Sequence, residues 1–124
     1  MKLRIKGNSL RYRLTRPEVE QFAKTGSVED RVNFSGLALT YALCSTDAGE
    51  LSATFKDNRI TIYLPASLVE EWIGTDKVGF EHRMQLNGTE ENLYLLVEKD
   101  YTCLDNVEED QSDNYPHPLS KKSL

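Results

Sequence analysis

Cysteine is scarce in this chain: two among 124 residues, Cys44 and Cys103, with no CxxC pair. That excludes a disulfide framework, a zinc knuckle and a thioredoxin-type redox site, and both thiols are expected to be free. No apolar run approaches the ~20 residues that a membrane-spanning helix needs. The basic N-terminus is not followed by the apolar segment of a secretory signal, so the chain is expected to stay in the cytoplasm. A Gly-rich phosphate loop, a Walker motif and HExxH are all missing, so no cofactor is expected. No internal repeat is visible. Acid is absent from the first sixteen residues, which carry Lys2, Arg4, Lys6, Arg11, Arg13 and Arg16, and it concentrates instead between Glu98 and Asp113.

What remains is ordinary for a folded domain: 39% hydrophobic and 28% charged residues, in a chain long enough for one core. The net charge of −5 argues against nucleic acid and against anionic membrane as partners. A homodimer or a protein partner is left open.

Leu3 and Ile5 alternate with Lys2, Arg4 and Lys6, and Leu10, Tyr12 and Leu14 alternate with Arg11 and Arg13. With Gly7-Asn8-Ser9 between them, the two runs predict a hairpin with apolar residues inward and cations on the other face, or one long strand bent at Gly7. Thr15 to Glu18 is a capping box that tolerates Pro17 in the first turn. Val19, Phe22 and Ala23 then form the inward stripe of a helix that Gly26 ends. Strand patterning follows at Val32 and Phe34 and from Leu37 to Leu43. Residues 51–55 and 60–64 flank a polar hairpin tip, Lys56-Asp57-Asn58-Arg59. Pro65 opens a second short helix with Leu68, Val69 and Trp72 on one face and Gly74 as its stop. Val78, Phe80, Met84 and Leu86 predict a strand, which Asn87-Gly88 would join to Leu93–Val97, the most apolar run of all, through a two-residue hairpin turn.

These elements sum to an α+β fold: seven to eight short strands and two short helices, in a curved, mostly antiparallel sheet that could approach a barrel. Residues 1–104 are expected to form the domain and 105–124 an acidic C-terminal arm or tail.

Two charged surfaces stand out. Arg4, Lys6, Arg11 and Arg13 would cluster on one face of the first hairpin, where arginine forks suit phosphate or carboxylate. Glu98, Asp105, Glu109, Asp110 and Asp113 offer the opposite surface, and cations packed so densely on a hairpin call for such compensation. Glu98, at the end of an apolar strand, needs a partner, and a hairpin arginine is the natural one. The acidic segment fails as an EF-hand, because counting from Asp105 puts Val107 at position 3 and Asp110 where Gly is required. His82, beside Glu81 and Arg83, and His117, between prolines, have no nucleophile or orienting group placed next to them in sequence. Acid around Cys103 disfavours its thiolate.

The stretch from Leu3 to Leu14, LRIKGNSLRYRL, together with Val97 to Leu104, VEKDYTCL, and the Glu109-Asp110, Asp113 and Tyr115-Pro116 ending, resembles a family of small uncharacterised bacterial proteins, a domain of unknown function. The resemblance implies a bacterial, cytoplasmic, stand-alone domain, and it transfers no catalytic residue. Two readings compete. One is a non-enzymatic binding or interaction protein whose basic hairpin meets an acidic segment. The other is an anion- or phosphate-binding protein, or a phosphate-handling enzyme, with the same cations lining the inside of a curved sheet.

Overall fold

Leu3 and Tyr12 face each other across the first hairpin, as do Ile5 and Leu10, and this apolar face starts the core. The computed structural model describes residues 1–101. Within them β1 (Lys2–Ile5) and β2 (Ser9–Leu14) form that hairpin, followed by α1 (Arg16–Thr25), β3 (Ser27–Phe34) and β4 (Leu37–Thr46). Then come β5 (Ser52–Lys56), β6 (Arg59–Pro65), one 3-10 turn (Ala66–Leu68), α2 (Val69–Gly74), β7 (Gly79–Gln85) and β8 (Asn92–Lys99). The α+β class, the eight strands and the two short helices agree with the sequence. The barrel does not. There are two four-stranded sheets, β1-β2-β8-β7 and β3-β4-β6-β5, each ending in open edges. Most pairings are antiparallel, but the central pair of each sheet, β2 with β8 and β4 with β6, is parallel.

The parallel pairs have a simple origin. The described chain is two successive ββαββ units, β1 to β4 and β5 to β8, each of which sends its first hairpin to one sheet and its second to the other. Exchanging the units turns one sheet order into the other. The exchange holds for individual residues: Leu10, Tyr12 and Leu14 correspond to Ile60, Ile62 and Leu64, and Val19 and Phe22 to Val69 and Trp72. Register follows suit, since Tyr12 pairs with Val97 as Ile62 pairs with Leu43. The internal repeat that the sequence hid is therefore present as a structural pseudo-twofold.

Local chemistry explains the elements. Thr15 accepts from the Glu18 N–H at 3.4 Å while Glu18 accepts from the Thr15 N–H at 2.9 Å, which completes the capping box. At the other end of α1 the Gly26 N–H donates to the Phe22 carbonyl. Val19 and Phe22 are buried, but Ala23 is exposed, so the inward stripe is narrower than expected. Asp57 and Asn58 both hold positive φ (54° and 61°), the two-residue turn that matches strand twist. Asn87-Gly88 does connect β7 to β8, but within a six-residue loop. Thr89 N–H donates to the Leu86 carbonyl across it, and Leu86 N–H to the Glu91 carbonyl closes its base. Gly88, at φ 77°, takes the left-handed position.

Trp72, Tyr12, Phe22 and Leu14 are fully buried between the sheets. Trp72 packs edge-on against Phe22 (6.3 Å) and Phe80 (6.0 Å), and its indole N–H donates to the Val78 carbonyl at 2.9 Å. Both helices enter from the same end of the strands, since β2 runs into α1 and β6 into α2. They plug that end of the sandwich, and all four hairpin turns lie at the other.

Candidate functional site

Register alone sorts the charges. Lys2 lies opposite Arg13 and Arg4 opposite Arg11, so these four share the outer face of the first sheet while Leu3, Tyr12 and Leu10 face the core. The cations therefore do not line the inside of a curved sheet. Parallel pairing brings Glu98 of β8 level with Arg13 on that outer face. The Arg11 Nε donates to Glu98 Oε1 at 3.0 Å and its Nη2 lies 2.9 Å from the same oxygen. Arg13 Nε is 3.6 Å from Glu98 Oε1, and its Nη1 is 3.9 Å from Asp100 Oδ1. Lys2 Nζ reaches Asp100 Oδ2 at 3.2 Å. Of the residues singled out in the sequence, the structure thus joins Arg11 and Arg13 to Glu98 and leaves Lys6 in the exposed turn after β1. Asp105, Glu109, Asp110 and Asp113, like Cys103 and His117, lie outside the described residues.

A second charged knot ties the first residue to the fold. The Met1 ammonium donates to Glu18 Oε2 at 2.5 Å and to Asp30 Oδ2 at 2.9 Å, and the Tyr41 hydroxyl donates to the Met1 carbonyl. Burial works against the ammonium's charge, but the bonds to Glu18 and Asp30 outweigh it and raise its pKa. Burial likewise pushes the Glu18 carboxyl up, and the bonds from the ammonium and from Thr15 overcome this and hold it low. His82 is half-buried on β7, its Nε2 3.4 Å from Glu50 Oε1, and Cys44 is a free thiol. Among the described residues no three His, Cys, Asp or Glu side chains come together as a metal site would require. No described helix is long and apolar enough to cross a membrane.

The feature that sequence reasoning missed lies at the hairpin end. With helices filling only the opposite end, the two apolar faces stay apart and enclose a cleft of about 560 Å³. Its walls include three pseudo-twofold pairs, Ile5 with Phe55, Leu10 with Ile60 and Leu39 with Leu93, so the cleft lies on the internal axis. Among the described residues no ionisable side chain lines it. Two of its polar groups are already engaged: the Asn8 amide donates to the Asn92 carbonyl at 2.7 Å and the Ser9 hydroxyl to the Lys6 carbonyl at 2.5 Å. Volume and described lining are those of a site for an apolar group. The sequence signal was that Ile5, Phe55 and Leu39 continue their apolar alternation toward the hairpin ends of their strands, which also reads as core.

Neither the comparison with curated proteins nor the comparison with solved structures gives a match. A family model does match, over residues 1–119: the chain belongs to a family of unknown function, DUF7009.

Proposed function

We propose that this protein is a non-enzymatic binding domain of the bacterial cytoplasm whose working surface is the hairpin-end cleft. The observation that carries the reading is a preformed apolar cleft of about 560 Å³ with no ionisable group among the described residues of its walls. It holds an apolar group by desolvation, at roughly 25 cal/mol for each Å² of apolar surface removed from water. The basic face has an architectural part in this reading. Arg11 and Arg13 already share Glu98, so an incoming anion would have to displace a carboxylate held at hydrogen-bonding distance.

A neutral, environment-sensitive apolar dye titrated into dilute protein tests the proposal. Saturable binding is expected that resists high salt and survives Arg11→Ala with Arg13→Ala. It is expected to disappear in Phe55→Asp, a change at an exposed wall position that leaves the fold intact. Dye binding abolished by salt or by the arginine variant, with Phe55→Asp unaffected, would move the site to the basic face.

A further inference from the structure

We infer that the group held in the cleft is the tip of the β3–β4 hairpin of a second copy of this chain, exchanged reciprocally about a twofold axis. The inference rests on the cleft being a binding site and names its occupant. β4 pairs with β6 only from Thr40 onward, but the β3–β4 ladder continues through Val32↔Leu39 and Asn33↔Ala38 to Phe34↔Leu37. The last three rungs overhang the sheet by ~10 Å, at about 3.3 Å per residue. The core-side face of this overhang is apolar and uncovered: Val32 is 45% exposed, Phe34 62% and Leu37 60%. Leu39, at its base, is already a wall of the cleft, so the overhang rises from the cleft's rim.

The internal repeat indicates what such a hairpin covers. Phe34 corresponds to Leu86, and Leu86 lines the cleft while Phe34 does not. One half of the molecule thus closes its hairpin over the cleft and the other holds its hairpin away. The overhanging ladder is paired without a break as far as the turn, so it has no hinge on which to fold back onto its own cleft. The cleft meanwhile leaves Phe55 71% and Ile5 59% exposed.

Among the described residues each molecule therefore presents both an open apolar cleft and an exposed apolar knob beside it, which is the self-complementary pattern of an isologous pair. The five exposed side chains present roughly 500 Å² on each copy, or about 1,000 Å² in the pair, the lower bound for a specific interface. The hairpin tips carry Lys6, Lys56 and Arg59 against Asp57, Glu90 and Glu91. That balanced rim can complement its own copy and does not select a strongly charged partner.

Sedimentation velocity of the full chain over a concentration series tests this. Wild type is expected to dimerise, with little dependence on salt. Phe34→Asp and Phe55→Asp should each weaken self-association by roughly tenfold or more. Thermal melts check that both variants remain folded. Mixed together, the two variants should associate more tightly than either alone, because one intact knob and one intact cleft meet in the heterodimer. A wild-type monomer at the highest concentration reached overturns the inference, whatever else the cleft takes. So does a dimer indifferent to both substitutions, or a mixture no tighter than its components. Dye binding by Phe34→Asp separates the two levels of argument. Retained there beside a monomeric wild type, it leaves the cleft as a binding site and removes only the second copy; its loss removes the cleft reading itself.

Discussion

Glu98 is where the sequence and the structure meet most directly. A carboxylate closing an apolar strand needed a cation, and it has two, with Arg11 bonded and Arg13 beside it. All three side chains are part-buried, so the group is neither a screened surface pair nor a dry ion pair. Removing the shared acid leaves neighbouring cations, and Glu98→Ala should cost about 1–3 kcal/mol in a denaturant melt. The same variant distinguishes architecture from an anion site. Inorganic phosphate at low salt should raise the Tm of Glu98→Ala and leave that of wild type unchanged. A phosphate shift in wild type would restore the anion-binding reading of the basic hairpin. The Met1 knot makes a second prediction. The ammonium pKa is raised from 8.0, so its contribution is complete below that value and fades as pH climbs through the folded pKa. The Glu18 pKa is lowered from 4.5, so its contribution is complete above that value and fades as pH falls through the folded pKa. Acetylating the N-terminus should lower stability by about 1 kcal/mol at neutral pH and flatten the alkaline decline, as read by melts at neutral and alkaline pH.

Strands and helices were legible to different depths. The capping box, the positive-φ turn at Asp57-Asn58 and the hairpin of β1 with β2 are local devices, decided within a few residues, and each lies where the pattern put it. α2 is shorter than its pattern, because Pro65 still pairs with Thr46 at the end of β6 and a 3-10 turn precedes the helix. Gly79 was not legible at all. It opens β7 opposite Glu98, and a Cβ there would lie 1.9 Å from the Val97 carbonyl oxygen and 2.8 Å from the Glu98 Cα. Those atoms are backbone and cannot move aside, so Gly79→Ala should cost roughly 3 kcal/mol or more, or displace β7 altogether. A Tm within a few degrees of wild type would show that the approach is not so close. The helical plug makes the complementary case. Phe22→Ala, which empties the contact with Trp72, should lose ~3–5 kcal/mol in the same assay.

At the scale of the molecule, each sheet is built by both halves of the chain, joined through β2–β8 and β4–β6. Neither ββαββ unit can cover its own hairpins. Chains cut in the exposed loop at Gly49 should therefore be unfolded separately and regain native circular dichroism when mixed; a half that folds alone would contradict this dependence. Strand number, helix number, the α+β class and which face of each strand is apolar were determined by the sequence itself, because alternation, caps and turn residues act over short distances. Two sheets in place of one curved sheet, the pseudo-twofold, the meeting of Asp100 with Lys2 and Arg13, and the open cleft were decided only by tertiary structure. Periodicity says which face of a strand is apolar but not which other face will cover it, and at the hairpin end the described chain supplies no cover.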